Sequence, residues 1–160
     1  MNNGEFYLAD AFDVIDEILA GGGEFRMYPK GTSMLPLIVQ GRDSVVLMRN
    51  KDMPVKKHDI AFYRRDNGQF VLHRVVKIEK DGTYTMCGDN QTELEFGIKE
   101  EQIIAYVARL YKGEKDRSMR SLSYKMYVLL YCCVPIKKAL RFPKRAISAI
   151  YRRVFRKNKS

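Results

Sequence analysis

The chain has 160 residues, 46% of them hydrophobic and 30% charged, and a formal net charge of +10. That length holds one domain with a real core plus an appendage, which excludes a string of independent domains. Residues 1–113 carry 15 Lys and Arg against 17 Asp and Glu, whereas residues 114–160 carry 14 against 2, so the basic character belongs to a tail and not to the fold.

The three cysteines do not make a disulfide framework, because Cys132 and Cys133 are adjacent and Cys87 stands alone; nothing resembles metal-ligand spacing. Reduced thiols favour a cytoplasmic location for the folded domain. The first thirty residues lack the basic start and continuous apolar run of a secretory leader, and no run of apolar residues is long enough to span a bilayer. The expected location is therefore cytoplasmic or peripheral at a membrane.

In chain order, residues 5–20 predict an amphipathic helix. Leu8, Phe12, Ile15 and Leu19 form its stripe, widened by Ala11 and Ile18, and Gly21-Gly22-Gly23 stops it. Such a stripe is expected to face the core. Residues 24–30 predict a first strand leading into Gly31-Thr32-Ser33-Met34-Leu35-Pro36. A serine between a glycine and a proline cannot continue a helix or central strand, so it belongs on a tight, exposed turn. Gly41-Arg42-Asp43 makes a second turn before a strand at 44–49, and a polar loop leads to a strand at 59–64. Asp66-Asn67-Gly68 is a hairpin signal, and residues 69–78 return. Asp81-Gly82 marks the next hairpin, a strand at 83–87 runs into Gly88-Asp89-Asn90, and residues 103–111 close the sheet.

Period-two alternation along the 69–78 strand puts His73 on one face with Val71 and Val75, and Leu72, Arg74 and Val76 on the other. Ser33 supplies a hydroxyl and His73 an imidazole, two of the groups needed for nucleophilic acyl transfer.

Ser33-Met34-Leu35-Pro36, Gly41 with Asp43, Lys57 to Tyr63, His73-Arg74-Val75-Val76 and Gly88-Asp89-Asn90 occur in an order and spacing that resembles the signal peptidase I and LexA-like superfamily of serine peptidases, over about residues 28 to 111. Position 73 is histidine and not lysine, which is similar to the branch found in the endoplasmic reticulum and archaea. The chain departs from most signal peptidases in lacking a membrane anchor before the serine, in having Arg42 inside the second turn, and in having His58 where glycine is usual. The resemblance implies a mainly β, compact, coiled antiparallel fold with a leading helix, and a serine endopeptidase with Ser33 as nucleophile and His73 as base. The carboxylate partner is expected to be Asp89 first and Glu95 second. Gly31, Thr32 and Arg74 are the expected oxyanion or supporting groups, with Arg74 turned from the serine and paired to an acid such as Asp59 or Asp89. No metal or organic cofactor is required.

Three units are expected: residues 1–23, a helix and glycine linker; residues 24–113, the β domain; and residues 114–160, a basic helical tail. In the tail, apolar Met126 to Val134 lies between basic residues, and Ala146, Ile147, Ile150, Tyr151, Val154 and Phe155 recur at helical spacing opposite arginines. This pattern fits an anionic membrane surface, against the plainer expectation that an apolar face docks on the domain; a nucleic-acid partner is disfavoured because no recognition module accompanies the charge. The expected substrate is a peptide or leader segment lying along a strand edge. The alternatives are a catalytically weak peptide-binding module of the same fold and a self-cleaving LexA-like regulator.

Overall fold

The computed structural model describes residues 11–49 and 54–132. Helix α1 spans Phe12–Ala20, and its stripe turns inward as the spacing dictates: Ile15 and Leu19 are 2% and 1% exposed. Burying two such side chains contributes about 1.5–3 kcal/mol each, so the helix is held by packing on the domain. Its end is a Schellman motif. Gly23 N–H donates to Ile18 O at 2.9 Å and Gly22 N–H to Leu19 O at 3.2 Å, which needs a left-handed residue between them, supplied by Gly22 at φ +80°. The start of the expected helix, including Leu8, lies outside the described residues.

Eight strands make one antiparallel sheet: β1 (Phe25–Met27), β2 (Ser44–Met48), β3 (Ile60–Arg64), β4 (Phe70–Ile78), β5 (Tyr84–Cys87), β6 (Glu95–Ile98), β7 (Ile103–Lys112) and β8 (Lys115–Arg117). The spatial order is β1-β2-β7-β3-β4-β5-β6, with β8 on β7. Strand β7 is the keel, pairing β3 through its first half and β2 through its second. Register shifts at Val46/Leu47, Phe62/Tyr63, Val75/Lys77 and Tyr84/Met86 are the kind of irregularity that bends a sheet and increases its local twist.

The period-two pattern resolves into two cores. Ile60, Phe62 and Leu72 join Ile15, Leu19, Val45, Leu47 and Val107 on the helix-covered face. Ala61, Tyr63, Val71 and Val75 pack with Tyr84, Met86 and Ile98 on the other. His73 therefore shares its face with the second core and Arg74 with the first.

Three features depart from expectation. Strand β6 falls between the Gly88-Asp89-Asn90 segment and the closing strand, where no strand was expected. The β body does not stop at residue 113, because β8 forms a hairpin with β7 in which Lys112 faces Lys115. The start of the expected tail is also part of the body: helix α2 (Leu122–Cys132) buries Tyr124 and Val128 in the first core. Tail positions from 133 onward lie outside the described residues. Among the described residues no helix is long and apolar enough to cross a membrane.

Candidate active site

The segment after β1 closes on itself to present Ser33. Gly31 N–H donates to the Gln40 side-chain oxygen at 2.6 Å, and Ile38 N–H to Met34 O at 2.9 Å. Met34, Leu37 and Ile38 are buried in the first core, so the turn is nailed down by its apolar residues while Ser33 stays half-buried at the surface. Asp43 secures the exit. Its carboxylate accepts from Val39 N–H at 2.8 Å, from the Arg42 guanidinium at 2.7 and 2.9 Å, and from Lys112 Nζ at 2.9 Å; Lys112 also donates to Leu37 O. Burial alone would raise the Asp43 carboxyl, but the donors from Arg42, Lys112 and Val39 hold it well below the usual carboxylate range.

The turn is gripped from the other side by Gly88-Asp89-Asn90. Asn90 N–H donates to Ser33 O at 2.7 Å, and Asn90 Nδ2 donates to Thr32 O at 3.1 Å. A Cβ at position 88 would stand 2.7 Å from Ser33 O and 2.7 Å from Gln91 Oε1, so only glycine allows this approach.

His73 is buried on β4 beside Tyr63 of the neighbouring β3. The Tyr63 hydroxyl lies 3.2 Å from His73 Nδ1 and donates to Glu95 Oε2 at 2.8 Å; Glu95 Oε2 is 3.8 Å from the same ring nitrogen. Arg65 holds Glu95 in a fork, Nε to Oε1 and Nη2 to Oε2, each at 2.6 Å. Burial acts to raise the Glu95 carboxyl, yet the hydrogen bonds of Arg65 and Tyr63 and the Arg65 charge bring it below its ordinary value. Burial and the hydrogen bond to Glu95 push the Tyr63 hydroxyl far above the ordinary phenol range, so it stays protonated.

Ser33 and His73 line one cleft of about 220 Å³, together with Lys30, Met34, Arg65, Gln69, Gln91 and the Phe70–Leu72 stretch of β4. Strand β5 pairs with β4 only from Arg74 onward. Among the described residues, Phe70–His73 thus has β3 on one side and no strand on the other, at the cleft.

Arg74 lies on the opposite face, wholly buried. Its guanidinium binds Asp89 through Nε to Oδ1 at 2.8 Å and Nη2 to Oδ2 at 2.6 Å. Nη1 donates to His58 O at 2.8 Å and to the Tyr124 hydroxyl at 3.0 Å, and the Tyr127 hydroxyl donates to Asp89 Oδ2 at 2.9 Å. Pairing with Asp89 was one of the two expectations for Arg74; Asp59 instead accepts from Lys56 N–H at 2.8 Å.

On geometry the order of preference for the histidine's carboxylate reverses. Asp89 was expected first, but its two oxygens are held by Arg74 and Tyr127, and the carboxylate beside the imidazole is that of Glu95. The reason is the alternation of β4: Asp89 serves residue 74 on one face, and Glu95, on β6, reaches residue 73 on the other. Arg74 accordingly supports the site through Asp89 and does not act as an oxyanion donor. Thr32 meets the site through its carbonyl, which accepts from Asn90 and from Leu35 N–H. Tyr63 and Arg65 were not singled out from sequence, although alternation on β3 puts Tyr63 on the same face of the sheet as His73.

His58 adopts φ +80°, the left-handed conformation that favours glycine, which explains why glycine suits this position. Burial, followed by the Lys57 and Arg74 charges, lowers its imidazole from the usual value. Among the described residues no group of three or more His, Cys, Asp or Glu side chains converges where a metal ion could sit. Compared with protein-family models, curated proteins and solved structures, the chain finds no match in any of the three.

Proposed function

We propose that this chain is a serine endopeptidase of the signal-peptidase-like type that cuts a peptide or leader segment through Ser33 and His73. The observation that carries the reading is the shared cleft: a turn serine and a buried histidine front one groove whose wall is a stretch of β4 edge that, among the described residues, pairs with no strand on that side. An extended peptide adds to such an edge by main-chain hydrogen bonds, which brings a scissile carbonyl past the serine. His73 takes the proton from Ser33 Oγ as the oxygen attacks, the carbonyl becomes an oxyanion, and the imidazolium then protonates the leaving amine; water repeats the sequence on the acyl-enzyme. The Ser33 N–H and a neighbouring backbone or Thr32 hydroxyl donor hold the oxyanion. Ser33→Ala and His73→Ala are the test. Each is expected to abolish both cleavage of a co-expressed precursor peptide and labelling by a fluorophosphonate, with circular dichroism unchanged; cleavage retained in either purified variant rejects the dyad.

The open edge also favours a second reading, a module that binds peptides without cutting them. It predicts peptide binding that survives Ser33→Ala and no labelling of the unaltered protein.

The proposed second partner is an anionic membrane surface. Support comes from the outward side of α2, where Leu122, Met126 and Leu129 recur at helical spacing and are 76%, 50% and 64% exposed, next to the exposed cations Arg120 and Lys125. Sedimentation with anionic but not neutral vesicles is expected, and replacing the three apolar residues by serine should weaken it.

A further inference from the structure

The phenol between His73 and Glu95 has one hydrogen and two neighbours that could take it. Glu95 is held below the ordinary carboxylate range by Arg65, and an ionised carboxylate only accepts. The Tyr63 hydrogen must therefore point to Glu95 Oε2, 2.8 Å away. The phenol oxygen is left as an acceptor toward His73 Nδ1 at 3.2 Å, and that contact is a hydrogen bond only if Nδ1 carries the proton. The direct His73 to Glu95 separation, 3.8 Å, is too long for a hydrogen bond, so Tyr63 is the link.

We infer that Tyr63 is a positioning residue that passes the constraint of Glu95 to His73, fixing the Nδ1–H tautomer and leaving Nε2 as the unprotonated nitrogen. The inference rests on the reading of His73 as the base, because only then does the identity of the bare nitrogen matter to Ser33. In a direct histidine–carboxylate pair the acid both orients the ring and stabilises the imidazolium. Here the two tasks are divided. The Arg65 fork offsets most of the Glu95 charge, and the neutral hydroxyl does the orienting. Arg65 and Lys30 are the other charged groups that share the His73 cleft, and the Arg74–Asp89 pair lies across the strand. None of these offers an acceptor to Nδ1 in place of the phenol.

The test needs no substrate. In the full-length protein labelled with 15N, long-range imidazole correlations recorded above the histidine titration should show His73 as Nδ1–H. An unconstrained neutral histidine favours Nε2–H, so Tyr63→Phe, which keeps the ring that fills the core, should shift His73 toward that form. Glu95→Met, which removes both carboxylate oxygens and with them the acceptor for the phenol hydrogen, should weaken the Nδ1–H preference by a separate route. The rate of Ser33 labelling by a fluorophosphonate should fall at least about tenfold in Tyr63→Phe, with unfolding still cooperative. An Nε2–H tautomer in the unaltered protein, or Nδ1–H persisting in both variants, overturns the inference. A tautomer shift in Tyr63→Phe in a protein whose Ser33 never labels or cleaves would uphold the link and reject the peptidase reading, so the two failures are distinguishable.

Discussion

Asn90 reaches Ser33 through the main chain, N–H to carbonyl at 2.7 Å, and Gly88 makes room for it. The contact ties the turn that carries the hydroxyl to the loop whose central residue, Asp89, is locked to Arg74. Since Arg74 adjoins His73 in sequence, both ends of the proposed dyad are braced by one loop.

Gly88→Ala should therefore disturb Ser33 more than an ordinary loop substitution would. Its Cβ meets a backbone oxygen at 2.7 Å, which forces the serine turn or the loop to move. A loss of about 1–3 kcal/mol in stability and a marked fall in Ser33 labelling are expected, read by urea unfolding and by probe kinetics. Stability and labelling both at the unaltered level would show that the loop does not brace the turn.

The Arg74–Asp89 pair should be costly to break from one side. Asp89→Ala strands a buried guanidinium, for which about 3–5 kcal/mol of destabilisation is expected. Tyr127→Phe removes one hydroxyl from the same carboxylate and should cost about 1 kcal/mol. Urea titrations of both variants check the ranking, and equal small losses would contradict it.

Acid should loosen the serine turn. The Asp43 carboxyl sits lower in the folded protein than in the unfolded chain, so its contribution is complete above the ordinary aspartate value of about 3.9 and disappears as pH falls through the depressed folded value. Glu95 acts in the same sense. Asp43→Asn is expected to cost about 2 kcal/mol at neutral pH and to flatten the acid limb of the stability curve, measured by denaturant unfolding between pH 2 and 7 as an approximate range.

His58→Gly should be neutral or stabilising by up to about 1 kcal/mol, since glycine adopts φ +80° without the steric cost an L side chain incurs. Arg74 bonds the carbonyl of this residue and not its ring, so Ser33 labelling should not change. A loss of stability beyond 1 kcal/mol, on the order of a lost hydrogen bond, would give the imidazole a role of its own.

Much of the sheet was legible because its strands are half-buried and therefore alternate: the Ile60–Arg64 and Phe70–Ile78 strands announce both faces and the hairpin between them. The leading helix was legible from Ile15 and Leu19. Strand β6 was not, because it is only four residues long with a glycine at φ +74° inside it, its Phe96 faces solvent, and its pairing with β5 is irregular. Strand β8, three polar residues on an edge, offers no apolar signal at all. The choice between Asp89 and Glu95 was hidden for a different reason. It depends on which face of β4 each acid approaches, and spacing along the chain does not encode that.

The inward tyrosines of α2 set a practical limit on how far the protein can be trimmed. A fragment ending at Gly113 would keep every strand up to β7, yet it would strip two phenols and an aliphatic lid from above a sequestered cation, opening Arg74 to water. Recombinant versions made to test the proposed activity should extend through Cys132, and a lack of Ser33 labelling in shorter ones would report a missing roof before it reported anything about chemistry.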